Sequence, residues 1–519
     1  PKIKRSFENI EQTDVLPFKF TNTPEYAADL IWFLERYPMV ISDQDTSRLK
    51  RGRTKHTSYI NELEKIMLPD YQPTVSFGLN EPWKARAYQI TGCEMHIQVK
   101  RLLCGDDLGL GKTMIGLLSC LQPGTLPAAM VVQGHLQGQW GREISKYTQL
   151  RHHIINSTSP YSLPPADVYI FKYSQLAGWV DIFQTRMFKY AAFDEIQELR
   201  RSESNKYSGA TVLAAHVDYV LGLSATPMFN YGDEIFNIYQ IIKPGCLGTF
   251  QEFLREWCAI NNKKVIIRNP NALGTYLRDN FLFLRRTRKD VGMELTPVNT
   301  IIHRVDYDTK GLKEMEAIAK VLARRIVESS WVERGKASMQ LDMLLRQSTG
   351  VAKAKYVAAY VKVLLDNGAP VVLGGWHRQV YKIWAEELKE YNPVFYTGTE
   401  STKKKNESFR KFTKGETNLF IISLRSGVGL DGLQYRGNDV VIGELDWTPK
   451  VHDQLIGRVD RPGQDEEVSA HYLICNFGSD EDIVSLLGLK ASMAHALVDP
   501  DVELLTKHSD ESRIKKFVE

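Results

Sequence analysis

Two blocks of this chain alternate short apolar runs with amphipathic segments, and this alternation constrains the fold more than any other feature. From about residue 85 to 240 the apolar runs are RLLC, AAMVV, HHII, DVYIF, YAAF and DYVLGL. Beyond residue 350 they are APVVLGGW, NPVFYTG, NLFIIS, DVVIGEL and AHYLICN. Short buried strands separated by helices are typical of parallel sheets covered by helices on both faces. We therefore predict an α/β fold with two doubly wound parallel-sheet lobes.

The remaining segments are expected to surround these lobes, because 519 residues exceed what one hydrophobic core supports. In the N-terminal part, helical patterns at PEYAADLIWFLERYP and TSYINELEKIML flank a polar, basic stretch, SDQDTSRLKRGRTKH, which we predict to be a connector. Between the lobes, TKGLKEMEAIAKVLARRIVESSWVERG indicates a mainly helical insert. The predicted units are an N-terminal accessory segment (1–82), the first lobe (83–244), the insert (245–350), the second lobe (351–495) and a C-terminal tail (496–519).

A net charge of +4 does not by itself indicate a nucleic-acid partner, so any DNA contact must come from local basic patches. Three runs qualify: residues 48–55, 285–289 and 403–405. We expect the first to be the best candidate for DNA phosphates and the second to pack or pair near the lobe junction.

Cysteine spacing and hydropathy limit the kinds of site and the cellular compartments expected for the protein. The six cysteines include no C-x-x-C pair, which argues against zinc and disulfide frameworks and favours reduced, mostly buried thiols. No apolar run approaches the length of a membrane span, and no signal-peptide pattern follows the basic first residues. We expect a monomer with no membrane partner, in a bacterial cytoplasm or nucleoid or an infected host cell, or in the nucleus if the chain is eukaryotic.

The stretch GDDLGLGKTM, residues 105–114, lies between a predicted strand and a predicted helix. That context suits a phosphate-binding loop, although Asp106 stands where the strict G-x-x-x-x-G-K-[ST] pattern has glycine. Gly109 and Gly111 would let the main chain approach phosphates, Lys112 would reach the β and γ groups, and Thr113 would ligate Mg²⁺. We therefore predict an ATP site. A chance glycine-rich turn is the alternative.

A second acidic site and a pair of arginines complete the pattern. Asp194 and Glu195 end the apolar run YAAF, where one carboxylate can join Thr113 in holding Mg²⁺ and the other can activate the attacking water. In QLIGRVDRPGQ, Arg458 and Arg461 would be presented by the second lobe, as arginines that stabilise γ-phosphate charge need to be. The alternative for Asp194 and Glu195 is a solvated helix cap, and the alternative for Arg458 and Arg461 is a salt-bridged surface of a helix.

These blocks together resemble the Snf2 family of superfamily 2 helicase-like motors, whose first motif reads roughly D-E-M-G-L-G-K-T. ARAYQITG is similar to the family's L-R-x-Y-Q-x-x-G, and GELDWTPKVHDQLIGRVDRPGQ to its E-x-x-W-N-P motif ending in G-R-x-x-R-x-G-Q. LRQSTGVAKAKYV resembles the annealing-helicase branch, in a compact bacterial or viral form. The resemblance implies RecA-like lobes and ATP contacts from these positions: Gln89, Asp106, Gly109, Leu110, Gly111, Lys112, Thr113, Gly429, Asp431 and Gln454.

The resemblance also implies what the protein does and where this chain departs from the pattern. It implies an ATP- and Mg²⁺-dependent ATPase that translocates on double-stranded or branched DNA with little sequence preference, with a possible protein partner. The acidic box ends in Gln197 where the family has histidine, so this side chain can hydrogen-bond but cannot titrate. Two alternatives stay open: a strand-separating DNA or RNA helicase, and an ATP-gated protein that binds a partner such as RNA polymerase.

Overall fold

Two parallel β-sheets form the body of the protein in the computed structural model. The structure describes residues 18–19, 22–68, 70–73, 78–225, 232–261, 264–293, 298–308, 331–424, 430–476, 478–481 and 483–484. In chain order the strands are β1 (Arg101–Cys104), β2 (Ala128–Val132), β3 (His152–Ile154), β4 (Val168–Lys172), β5 (Tyr190–Asp194), β6 (Tyr219–Leu223), β7 (Cys258–Asn261), β8 (Lys264–Ile267), β9 (Phe283–Leu284), β10 (Asn299–Arg304), β11 (Val371–Gly375), β12 (Val394–Tyr396), β13 (Leu419–Ser423), β14 (Asp439–Ile442) and β15 (Ser469–Ile474).

Helices connect these strands and cover the sheets. In chain order they are α1 (Pro24–Arg36), α2 (Asp43–Met67), α3 (Ala87–Val99), α4 (Lys112–Cys120), α5 (Gln137–Tyr147), α6 (Val180–Gln184), α7 (Asn205–Ala215), α8 (Gly232–Ile242), α9 (Phe250–Trp257), α10 (Pro270–Asp279), α11 (Trp331–Asp366), α12 (Arg378–Glu387), α13 (Thr402–Thr413) and α14 (Pro449–Ile456). Short 3₁₀ turns follow β4 and β5, at Tyr173–Trp179 and Ile196–Leu199.

All pairings in the two large sheets are parallel. The first sheet has the order β3-β4-β2-β5-β6-β1-β9 and the second β10-β15-β14-β11-β13-β12, whereas β7 and β8 form a separate antiparallel pair. The eleven strands expected from the apolar runs are all present, so the prediction of two doubly wound parallel-sheet lobes is confirmed.

The inner strands of each sheet are buried on both faces, and their successive side chains point to opposite sides. In β2, Ala128, Met130 and Val132 pack into one apolar cluster, and Ala129 and Val131 pack into the other. The second sheet divides its strands between two clusters in the same way. Continuous apolar strands are the consequence of this two-sided burial.

The segment expected to be a mainly helical insert also supplies an edge strand to each sheet. Phe283–Leu284 pairs with β1 in the first lobe, and Asn299–Arg304 pairs with β15 in the second. Two residues are too short for a periodic signal, which explains why β9 was not predicted. The long helical pattern at 309–335 lies largely outside the described residues, as does the predicted tail at 496–519.

In the N-terminal segment α1 and α2 form a helical hairpin, and the expected connector at 42–56 is instead helical. The Ser42 hydroxyl caps α2 by accepting from the Asp45 amide at 3.0 Å, and the Arg and Lys residues that follow are good helix formers. Gly52 sits where α1 crosses, since an added Cβ would lie 2.3 Å from the Cβ of Ala27. The prediction of a connector was wrong because the many charged residues of this stretch suggested a loop, although Ser42 is a helix N-cap.

Two further expectations concern thiols and membranes. The six cysteines are thiols rather than disulfides, and five of them are buried, as expected. Across the described part of the chain, no helix has the length and apolar character needed to traverse a bilayer.

Candidate nucleotide site between the lobes

The glycine loop of residues 105–111 connects β1 to α4 at the carboxyl edge of the first sheet, where ligands of open α/β sheets bind. Gly109 and Gly111 have φ angles of +87° and +73°, which L side chains rarely adopt. A Cβ at Gly111 would also lie 2.6 Å from Nε2 of Gln89. The loop therefore requires glycine at both positions.

Lys112 begins α4 with its ammonium folded back onto the loop. Its Nζ donates to the carbonyl oxygens of Asp106 at 2.7 Å and Asp107 at 3.2 Å. Burial lowers the pKa of Lys112, and the charge of Glu195 opposes that shift. Thr113 follows it, partly buried, in the first turn of the helix.

Gln89, the expected adenine-reading residue, joins the start of α3 to the glycine loop through the two ends of its amide. Its Oε1 accepts from the Arg86 amide at 3.0 Å, and its Nε2 donates to the Leu110 carbonyl at 3.0 Å. The Tyr88 hydroxyl donates to the same carbonyl, also at 3.0 Å. Leu110 itself is buried, and its carbonyl accepts both of these bonds.

Asp106 was expected to contact the nucleotide, but its carboxylate is fully buried and paired with Arg286. It accepts from the Arg286 amide at 3.0 Å, from Nε at 3.1 Å and from Nη2 at 2.5 Å. The neighbouring Asp107 pairs with Arg285 at 2.7 Å. The two acidic side chains therefore hold the loop against the basic run.

Asp194 and Glu195 lie at the carboxyl end of β5. Asp194 Oδ2 accepts from the Trp140 indole at 2.9 Å, while its carbonyl accepts from the Tyr173 hydroxyl at 2.7 Å. Burial, followed by the charge of Glu195, raises the pKa of Asp194. The Gln197 amide donates to Glu195 Oε2, which confirms that this substituted residue still hydrogen-bonds the acidic pair.

The backbone of Glu195 has a φ of +55°, an uncommon conformation for a residue with a side chain. It turns the chain sharply from β5 into the 3₁₀ turn at Ile196–Leu199. This turn keeps the Glu195 carboxylate next to the end of β5.

The second lobe carries its two arginines just after the end of α14. Arg461 Nη1 donates to the Leu430 carbonyl at 3.0 Å and to Asp431 Oδ1 at 3.1 Å. Arg458 is buried; burial and then Arg461 lower its pKa, whereas the charges of Glu195 and Asp194 oppose that shift. The acidic pair of the first lobe therefore acts electrostatically on an arginine of the second lobe.

A cavity of about 320 Å³ lies where the lobes meet. Asp107, Leu108 and Arg288 line it from the first lobe, and Gln454 and Asp460 from the second. Gln454 thus faces the loop side of the junction. Gly429, the remaining predicted contact, lies outside the described residues.

The basic run at 285–289 does pair near the lobe junction, as predicted. Arg285 and Arg286 pair with the acidic residues of the loop, and Arg288 donates to Asp460 of the second lobe. The specific pairs were not predictable, because 180 residues separate Asp106 from Arg286. Trp140, which bonds Asp194, was also missed as a site residue, and its apolar helix position gives no signal of that bond.

The donor set around the loop fits magnesium better than a softer ion. In the part of the chain that the structure describes, no group of three or more His, Cys, Asp or Glu side chains is placed to hold a metal. Thr113 and Asp194 offer a hydroxyl and a carboxylate, which are the hard oxygen ligands that Mg²⁺ takes alongside the phosphates of a substrate.

Comparison with known protein families identifies two matching models. The SNF2-related domain matches residues 29–351 and the helicase conserved C-terminal domain matches residues 356–463. The first match alone spans more than half of the chain.

Similar curated proteins come from animals and bacteria. The bovine DNA annealing helicase and endonuclease ZRANB3 is 23% identical over 78% of this chain and 40% of its own length. The uncharacterized ATP-dependent helicase YqhH of Bacillus subtilis is 22% identical, with 78% of each chain covered. The chain thus spans about two fifths of the length of the first animal relatives that it matches.

Among solved structures, the Sulfolobus solfataricus SWI2/SNF2 ATPase core in complex with dsDNA is 20% identical, with a TM-score of 0.40, and the match covers 84% of this chain and 100% of that one. The family match rests on the sequence models, which extend across both lobes. The chain therefore belongs to the SNF2-related family and carries a helicase conserved C-terminal domain.

Proposed function

We propose that this protein is an ATP-driven translocase on double-stranded DNA that remodels forks, branched DNA or DNA-bound proteins. The observation that carries the proposal is the contact between the lobes, in which Pro462, next to Arg461, lies against Gly109 of the glycine loop. The charges of Asp194 and Glu195 also act on the buried Arg458. Arginines on one lobe and an acidic pair on the other become a complete site only when the lobes close. Closure and opening would then move the DNA.

Each residue of the site has a role that its position supports. The loop amides and Lys112 would bind the phosphates of ATP, since an ammonium beside a glycine loop at a helix start favours anions. Glu195 would orient the attacking water and accept its proton. Arg458 and Arg461 would stabilise the charge that develops on the γ-phosphate.

Thr113 and Asp194 would hold Mg²⁺. When bound, the ion neutralises phosphate charge during transfer. The Trp140 indole fixes the direction of the Asp194 carboxylate at 2.9 Å, so this oxygen ligand is oriented by the protein itself.

DNA contacts would come from exposed basic side chains. We define the basic band as Arg48, Lys50, Arg51, Arg53 and Lys55 of α2, all of which are exposed. Residues 46–61 contain these five cations and no Asp or Glu. Arg53 pairs with Glu35 at 2.7 Å, whereas the structure shows no carboxylate partner for the other four among the described residues. Phosphate contacts of this kind are salt-sensitive and independent of sequence.

The decisive test is an ATPase assay with duplex DNA, forked DNA, single strands and RNA, together with triplex displacement. We expect stimulation by duplex or forked DNA and displacement of the third strand without unwinding. Unwinding of a duplex would favour a strand-separating helicase, and stimulation by RNA alone would refute the proposal. DNA-independent, negligible turnover would favour an ATP-gated binding protein.

Two substitutions test the site itself. Lys112→Ala and Glu195→Gln are expected to abolish turnover, because one removes the phosphate-binding cation and the other the base. Both variants should retain DNA binding in a filter or anisotropy assay, since neither residue belongs to the basic band. Turnover that survived both changes would show that the site is assigned to the wrong residues.

A further inference from the structure

Arg288 contacts the glycine loop and the second lobe with one guanidinium. Its Nε donates to the Leu108 carbonyl at 3.1 Å, its Nη2 donates to the Asp460 carbonyl at 2.8 Å, and its Nη1 pairs with the Asp460 carboxylate. The side chains of Arg288 and Asp460 are 20% and 13% exposed, so solvent screens the pair only in part.

The loop end of this connection is held by backbone pairing. The segments that follow β1 and β9 continue side by side. The Gly105 amide donates to the Leu284 carbonyl at 2.7 Å, and the Asp107 amide donates to the Arg286 carbonyl at 3.0 Å. Arg288 follows two residues later, and its amide donates to Asp107 Oδ2 at 3.4 Å. Its position is therefore fixed relative to the loop.

The other end of the connection lies within the turn that carries the two arginines. Asp460 stands between Arg458 and Arg461, and its amide donates to the Ile456 carbonyl of α14 at 2.9 Å. Burial lowers the pKa of Arg461, and the charge of the nearby Arg288 adds to that shift. A shift of Asp460 would therefore displace both neighbouring guanidinium groups.

Gly109 shows how closely these parts approach. A Cβ built on it would lie 3.5 Å from Arg288 Nη2 and 3.7 Å from Cδ of Pro462, one residue after Arg461. The loop, Arg288 and the arginine turn are thus in mutual contact across the junction.

We propose that Arg288 is a positioning residue that couples the glycine loop to the turn carrying Arg458 and Arg461. The inference rests on the proposed function, because it assigns Arg288 the task of placing those arginines for catalysis. Arg285 and Arg286, its neighbours in the basic run, bond instead to Asp107 and Asp106 of the same lobe. Arg288 differs from them in joining two lobes, which is what a coupling group requires.

The test is a double-mutant cycle of Arg288→Gln, Asp460→Asn and the two combined, with steady-state ATPase kinetics and binding of a fluorescent ATP analogue. Misplaced arginines should lower kcat by roughly 10- to 100-fold, since small displacements of catalytic groups have effects of this size. Nucleotide affinity should change by less than about threefold, because the loop amides and Lys112 are intact. The double variant should be no slower than Arg288→Gln.

Controls separate this coupling from a loss of structure. Arg410→Gln breaks the exposed Arg410–Glu416 pair of the second lobe and should leave kcat unchanged. Arg288→Lys keeps the charge but not the forked donors, so it should recover part of the loss. If Arg288→Gln unfolds, Asp460→Asn carries the test, because it leaves the bond from Arg288 to Leu108 in place.

Wild-type kcat in Arg288→Gln or in Asp460→Asn, measured beside an inactive Lys112→Ala, would overturn the coupling and leave the proposed function standing. Additive losses in the double variant, or an equal loss of nucleotide affinity, would likewise overturn it. An inactive wild-type protein on every nucleic acid would instead refute the proposed function, and with it this role for Arg288.

Discussion

Asp106→Ala is expected to destabilise the first lobe severely, because it removes one member of a buried ion pair. The Asp106 carboxylate has no exposed surface, and it accepts three hydrogen bonds from Arg286, whose side chain is 13% exposed. Removing one partner of such a pair leaves an uncompensated charge in the interior, at a cost of about 3–5 kcal/mol.

The chain offers a matched control in Asp167→Ala. Asp167 accepts the same three bonds, from the amide, Nε and Nη2 of Arg151, at 2.8, 3.1 and 3.0 Å. Its side chain is 26% exposed and that of Arg151 is 67% exposed. An ion pair in water contributes little to stability, so the two substitutions differ mainly in burial.

Urea unfolding, followed by the fluorescence of the buried Trp140 and Trp179, measures both variants. The free energy of unfolding should fall several times more in Asp106→Ala than in Asp167→Ala. Asp106→Asn should lie between them, because its amide oxygen still accepts from Arg286. Equal losses in the two alanine variants would refute the argument that burial makes the Asp106 pair important.

Two other predictions concern acid stability and salt. Burial lowers the pKa of His96 to about 3, well below that of an unfolded histidine near 6.5. The stability due to keeping His96 neutral is therefore complete above about pH 6.5 and declines below it, by about 2 kcal/mol at pH 5. Urea unfolding at pH 7 and pH 5 should show this decline in the wild type and a smaller one in His96→Gln; identical declines would contradict it. The combined substitution Arg48→Gln, Arg51→Gln and Lys55→Gln should weaken duplex binding and reduce the slope of log affinity against log salt by about 0.9 for each DNA phosphate that the variant no longer neutralises. ATPase activity without DNA should not change, and an unaltered slope would exclude the basic band from the DNA interface.

The sequence predicts the sheets well because their signal is local. Most of the apolar runs are strands with buried residues on both faces, so their composition distinguishes them from the amphipathic helices between them. The strand β9 was missed because a two-residue strand has no period, and the start of α2 was missed because Ser42 caps a helix whose first turns are charged rather than apolar.

The residues of the candidate site can be predicted from local sequence patterns, but the ion pairs that join distant segments cannot. Gly109, Gly111 and Lys112 were identified from spacing, and the structure places them in a strand–loop–helix unit. The pairing of Asp106 with Arg286 depends on a chain that returns after 180 residues, which no local pattern records. Asp106 therefore looked like a nucleotide contact when its carboxylate is in fact an internal support of the loop.

The length of α2 has a mechanical consequence. The helix has 25 residues, about 37 Å at 1.5 Å per residue, and it is attached to the first lobe near one end, where Ile66 packs on the core and Tyr71 bonds Glu94 at 2.9 Å. Arg48 lies about 27 Å along the axis from Ile66. A rotation of the first lobe by a few degrees would move that end through an arc of one or two ångströms. A small rotation of the lobe would therefore produce a larger displacement of the charged side chains at the free end of α2.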